Sequence, residues 1–355
     1  MMKRLLIPSA LAVTAALAVA ALGSASAQAQ SKISIASWGG AYQMSQREAY
    51  FKPFIKESNV QVLEDEWTGE ISQIRAQVET KNFKWHAVDV ETDHVLGGCD
   101  EGILERIDYA KLGVKKEDLL EGAAHECGIG TISWSTIFAF NADVIKGDGP
   151  KSWADFWDVT KFPGKRGMYK SPKFNLEFAL IADGVAASDV YKVLKTKEGV
   201  DRAFKKMDQI KPHVIWWEAG AQAPQLLADK EVSMTTGWNG RIYSAVKNDG
   251  KNFKIIWNGQ GMDFDWWVIP KGHPEKDLAY KFIAFASRVD RQADQPNYIS
   301  YGPLVKAALP LVNKEVLPHL PTAPENTKNW YRIDGKFWGD NREALTERFN
   351  AWLAK

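Results

Sequence analysis

Apolar and polar positions alternate with period two over Lys32–Ser37, and the run stops at Gly39-Gly40, the pattern of a half-buried strand followed by a turn. Residues 42–57 read as a helical stretch interrupted by Pro53, and Val60-Gln61-Val62-Leu63 as the next strand. Ile71, Ile74, Arg75 and Val78 have helical spacing, and Ala87-Val88-Asp89-Val90 is a third short strand before Thr92-Asp93. This β-α-β-α-β order predicts a parallel sheet with helices on its faces.

The theme recurs downstream. Residues 131–140 are extended and apolar, and Ser152-Trp153-Ala154-Asp155 has the form of a helix cap. Residues 162–165 form a turn, and 174–182 are helical. A strand over 232–236 turns through Gly237-Trp238-Asn239-Gly240 into a helix over 241–247. Residues 253–257 and 265–270 are two further strands, the second stopped by Pro270. Leu278, Phe282, Ile283 and Phe285 mark a helix. Asp340-Asn341 caps a last helix that turns Leu345, Phe349, Trp352 and Leu353 inward. With no internal repeat and no long linker, two α/β lobes joined by chain crossings fit better than two separate domains.

The chain has 355 residues, 45 basic against 44 acidic, so the length suits about two domains and the balance argues against a dedicated nucleic-acid binder. Met1-Met2-Lys3-Arg4, an apolar run over 5–22 and Ala25-Ser26-Ala27 predict a signal peptide over 1–27 and an exported, periplasmic chain. No later apolar run is long enough for membrane insertion. Cys99 and Cys127 are an even count in an oxidising compartment, so a disulfide between them is expected.

Motifs for nucleophilic, nucleotide-dependent and zinc-dependent catalysis are absent: there is no Gly-x-Ser-x-Gly elbow, no Walker A loop and no paired-histidine zinc motif. What recurs instead is aromatic and charged residues at strand ends, where open α/β sheets bind ligands. Trp38 and Tyr42 follow the first strand, Glu91 and Asp93 the third, and Trp238 and Arg241 the strand over 232–236. Asp263, Asp265 and Trp266 sit at an expected crossing, and Tyr298 and Tyr301 follow a helix. Fifteen Trp exceed what a core needs. Carboxylates replace the lost hydration of an organic cation, and ring faces add about 0.5–2 kcal/mol each. Plainer roles also exist. Trp153, Trp157, Trp216 and Trp217 read as packing, and Trp266 and Trp267 point to opposite faces. Glu91 and Asp93 could equally cap a helix. Arg241 in a first helical turn opposes the helix dipole, which suggests a carboxylate partner.

Residues 38–42, Gly237-Trp238-Asn239-Gly240, 265–270, 298–303 and Leu320-Pro321-Thr322-Ala323-Pro324-Glu325-Asn326 together resemble the spermidine/putrescine-binding group of bacterial periplasmic solute-binding proteins of ABC importers. The resemblance implies a type II-like two-lobed periplasmic-binding-protein fold, with two crossover strands and a ligand cleft between lobes. Lobe 1 would comprise residues 28–135 plus 266–300, and lobe 2 residues 136–265 plus 301–355. It implies ligand positions at Trp38, Tyr42, Trp238, Asp265 and Tyr301, and an amine-binding acid at Glu177. It further implies an inner-membrane permease as partner, and a monomer without cofactor, metal or catalysis. Asp263 stands where the group carries an aromatic residue, and Glu91 and Asp93 stand where it carries Ser and an aromatic residue. Arg241 replaces a small residue. The extra carboxylates suit a di-cation such as putrescine or agmatine. Arg241 suits a ligand with an amine at one end and a carboxylate at the other, such as 4-aminobutyrate, and both remain open. A receptor for a sugar or ferric iron, a secreted carbohydrate-active enzyme using Asp263 or Asp265 with Glu177, and a receptor docking on a membrane sensor are the alternatives.

Overall fold

A computed structural model of the chain describes residues 30–355, and the expected signal peptide lies outside them. Strands β1 (Lys32–Ser37), β2 (Gln61–Glu66) and β3 (Ala87–Glu91) alternate with helices as the apolar pattern predicts. The short β4 (Ala124–His125) leads into β5 (Gly128–Asn141). β6 (Arg166–Tyr169), β7 (Val214–Trp217) and β8 (Met234–Trp238) form a second parallel set. The long β9 (Phe253–Val268) is followed by the short β10 (Gly302–Pro303) and β11 (Trp330–Arg332). The strands join in one sheet of order β2-β1-β3-β9-β5-β8-β6-β7. β1 runs parallel to β2 and β3, and β6 runs parallel to β7 and β8. Between these sets, β9 and β5 run antiparallel to each other and to their outer neighbours.

β5 and β9 are the two crossover strands. Their pairing runs from Ile129↔Trp267 to Asn141↔Phe253, with shifts in register between Gly130 and Ile132 and between Thr136 and Phe138. At one end they complete a core containing Ile35, Phe51, Val88, Trp267 and Phe282. At the other they complete a core containing Phe138, Trp153, Phe156, Phe178 and Trp338. The fold is therefore two-lobed, with the cleft where the crossing strands pass between the cores. Leu304, Val305 and Ala308 pack in the first core, although the expected boundary at 301 assigned them to the second lobe.

Several elements differ from the pattern. The strands expected over 253–257 and 265–270 are one strand. The polar stretch Asn258-Gly259-Gln260-Gly261 stays extended because Gly259 N–H donates to Asn329 O and β11 pairs with Gln260–Met262. The helical stretch begins at Gly40 and passes through a π turn, Arg47–Phe51. Pro53 then lies in the first turn of the segment Lys52–Ser58, which accommodates it. The last helix, Gly335–Leu353, starts before Asp340 because the Asp334 side chain accepts the Phe337 N–H at 2.9 Å. Cys99 and Cys127 form a disulfide. Trp153, Trp217, Trp267 and Trp338 are fully buried, so much of the tryptophan content is core. Among the described residues no helix is long and apolar enough to cross a membrane.

Candidate functional site

Strand ends from both lobes deliver the cleft's side chains. β1 ends in Trp38-Gly39-Gly40, and both glycines have positive φ, 62° and 56°. A Cβ at Gly40 would strike the Arg241 guanidinium, and one at Gly39 would meet the Glu66 carboxyl. This bare turn lets Arg241, from the helix Asn239–Asn248 of the other lobe, donate to the carbonyls of Trp38 (3.1 Å) and Gly39 (3.3 Å). Its buried Nε has no hydrogen-bond partner among the described residues. Its guanidinium lies 5.2 Å from the centre of the Trp238 ring and touches the Tyr301 hydroxyl.

Trp38, Tyr42, Glu91, Trp134, Trp238, Arg241, Asp265 and Tyr301 line a hollow of about 290 Å³, part of it open to solvent. Larger hollows exist, such as that between Lys111 and Ala307, but they are more open and carry no such convergence of rings and charges. Rigid packing holds each wall. Trp38 leans on Trp67 with centroids 5.1 Å apart, Trp238 meets Trp217 edge-on at 5.4 Å, and Tyr42 meets Tyr301 at 5.3 Å.

Asp265 accepts the Trp134 Nε1–H at 2.7 Å. Beside it, in hydrogen-bonding contact, lies Asp89, fully buried in the middle of β3. Asp89 accepts from Trp38 Nε1 (3.0 Å), Tyr42 OH (2.7 Å) and Gln46 Nε2 (2.6 Å), and so orients two of the walls. Burial pushes the Asp89 carboxyl up to about 7 against these donated bonds. Burial, then the charges of Asp89, Glu91 and Asp263, hold Asp265 well above the usual carboxylate range. Two carboxyls in contact cannot both ionise cheaply, so the pair retains a proton near neutrality unless a cation joins it.

The other acidic candidates are differently placed. Lys173 Nζ, almost fully buried, donates to Glu91 (2.8 Å), Asp93 (2.8 Å) and Asp263 (3.0 Å). Arg342 Nε donates to Asp93 at 2.6 Å, and its Nη2 lies 3.4 Å from Glu91. Burial opposes the Asp93 charge, but Arg342 and Lys173 outweigh it and draw the carboxyl well below its ordinary range. Asp93 and Asp263 thus face the protein's own cations instead of the cleft, and only Glu91 of this group lines it. Glu177 is also outside the cleft. It is buried in the second core, where it accepts from Tyr191 OH and Trp338 Nε1, both at 2.7 Å. Tyr298 is partly exposed and does not line the hollow.

The structure brings together Trp38, Tyr42, Glu91, Trp238, Arg241, Asp265 and Tyr301. Sequence reasoning missed Asp89, Trp134, Lys173 and Arg342. A carboxylate inside an apolar strand was the available signal for Asp89, but the other three carry none. The arrangement offers a carboxyl, Asp265, to a cation, a guanidinium, Arg241, to an anion, and ring faces to an apolar stem in the same cleft.

Residues 49–331 match the family model described as bacterial extracellular solute-binding protein, and the chain belongs to that family. It is 47% identical over 332 residues to the gamma-aminobutyric acid-binding protein of Pseudomonas aeruginosa, which covers 93% of this chain and 94% of that one. It is 25% identical over 203 residues, 52% of this chain and 53% of the other, to the putrescine-binding periplasmic protein PotF of Escherichia coli. Among solved structures, MotA from A. tumefaciens B6 in complex with glucopine superposes with TM-score 0.85 at 33% identity, covering 91% of this chain and 99% of that one. A GABA receptor superposes with TM-score 0.81 at 34% identity, covering 91% and 98%. This protein is accordingly a substrate-binding component of ABC import, of the kind that holds a small ligand and delivers it to a membrane permease.

Proposed function

We propose that the protein is a periplasmic receptor for 4-aminobutyrate. The observation that carries this reading is the pairing of opposite charges in one small aromatic cleft. Asp265 would receive the ammonium, Arg241, with its unpartnered Nε, the carboxylate, and Trp38 and Trp238 would cover the three methylenes between. Tyr301 would share the carboxylate with Arg241, and Tyr42 would pack against Tyr301. The hollow is small and leaves little room for a sugar chain. The gamma-aminobutyric acid-binding relative at 47% identity supports the same reading.

A monomer without cofactor suffices for this role, and it requires no covalent chemistry and no nucleic acid. The lobes would close on ligand about β5 and β9, because ligand binds the closed state more tightly than the open one. Calorimetry with 4-aminobutyrate, putrescine, spermidine and agmatine tests the proposal. Tight binding of 4-aminobutyrate and weak binding of the others is expected, and no heat with 4-aminobutyrate overturns it.

A further inference from the structure

The acidic wall of the cleft continues past Asp265. Glu91 lies opposite Asp265 in the β3–β9 pairing and lines the cleft. Asp263 lies two positions back along β9, on the same face as Asp265 and roughly 7 Å away by strand rise. A chain of four methylenes spans a gap of that order. Glu91, Asp93 and Asp263 all point at one spot, and Lys173 Nζ occupies it at 2.8, 2.8 and 3.0 Å.

Three carboxylates round one ammonium form the environment a ligand's second amine would need on leaving water. Lys173 reaches it from the loop after β6, in the other lobe. The next residue, Phe174, adopts φ +70°, a left-handed conformation that bulky residues rarely take. Arg342 already pairs with Asp93 and Glu91 from the last helix, whereas Asp263 has Lys173 as its ion-pair partner among the described residues.

We propose that Lys173 fills, from within the protein, the place of the far ammonium of a diamine, and so restricts the cleft to ligands with a single ammonium. This inference rests on the amine-binding reading of Asp265. It makes Lys173 a specificity-determining residue that need not touch the ligand.

The test is Lys173→Met in the mature chain, titrated with butane-1,4-diamine and with n-butylamine as the single-amine control. The variant is expected to bind the diamine at least about 10-fold more tightly than the wild type does, and in preference to butylamine. No gain for the diamine over butylamine overturns the proposal. Binding of 4-aminobutyrate by the wild type is the separate readout of the underlying reading, so the two failures are distinguishable. If Lys173→Met does not fold, Lys173→Met with Asp263→Asn removes one stranded charge and undergoes the same titrations. If that variant also fails, refolding yield in the diamine against butylamine decides, and equal yields overturn the proposal.

Discussion

Asp265 and Arg241 both line the cleft, and each is buried with little water to screen it. Truncating one partner of a buried charge pair costs about 2–5 kcal/mol, so Asp265→Asn and Arg241→Ala should each weaken 4-aminobutyrate binding at least ~30-fold by calorimetry. Retention of full affinity by Asp265→Asn would remove its assigned role. The Asp89–Asp265 pair adds a pH dependence. Both carboxyls are raised by burial, Asp89 to about 7, whereas an arriving ammonium stabilises their ionised forms. The complex therefore holds fewer protons than the free protein, and affinity should rise with pH between 6 and 8. The same shifts set a stability trend. Between about pH 4 and 7 the ligand-free folded protein keeps protons that the unfolded chain has lost, so this pair makes folding stability fall as pH rises. Melting curves at pH 5 and 7.5 check the sign, and Asp265→Asn should flatten the slope. At this scale the sequence showed the residues that stand at strand ends, Trp38, Trp238, Arg241 and Asp265 among them, because position alone aims them at the cleft. It could not show Asp89, whose role depends on a neighbour 176 positions away, nor Lys173, which follows an unremarkable Ser-Pro turn. Glu177 was implied by the resemblance alone and lies outside the cleft, where the buried Tyr191 and Trp338 donors account for it.

Helices and strands were legible where period and punctuation agreed. β1, β2 and β3 fall where alternation and glycine stops put them. The strand β9 was not, because its middle is glycine-rich and polar and is held extended by distant partners, Asn329 and β11. The helix Lys197–Ile210 shows what a local signal contributes. Its Thr196 cap accepts the Gly199 N–H at 3.0 Å, and one face buries Ala203, Phe204, Met207 and Ile210. Thr196→Ala should lower stability by about 1 kcal/mol in urea unfolding while leaving ligand affinity unchanged, since no cleft residue comes from this helix. A loss of affinity would show that the second lobe transmits strain to the cleft.

For the molecule as a whole, the disulfide and the two crossing strands set the mechanics. Cys99–Cys127 closes a loop of 28 residues, worth roughly 3–4 kcal/mol in the chain-entropy view. Neither cysteine lines the cleft, so reduction should depress the melting temperature yet spare 4-aminobutyrate binding. The two-lobed plan was readable from alternating elements without a linker, but the return of Leu304, Val305 and Ala308 to the first core was not, since only packing decides it. The interleaving of the lobes carries a consequence for synthesis. The first core takes Trp267, Phe282 and Leu304 from beyond the entire second set of strands, so an N-terminal half emerging from the ribosome can pair β3 with β1 but lacks β9 on its other edge and part of the cover for its apolar face. The pairing and packing that complete the first lobe therefore become available only when the last third of the chain has been made.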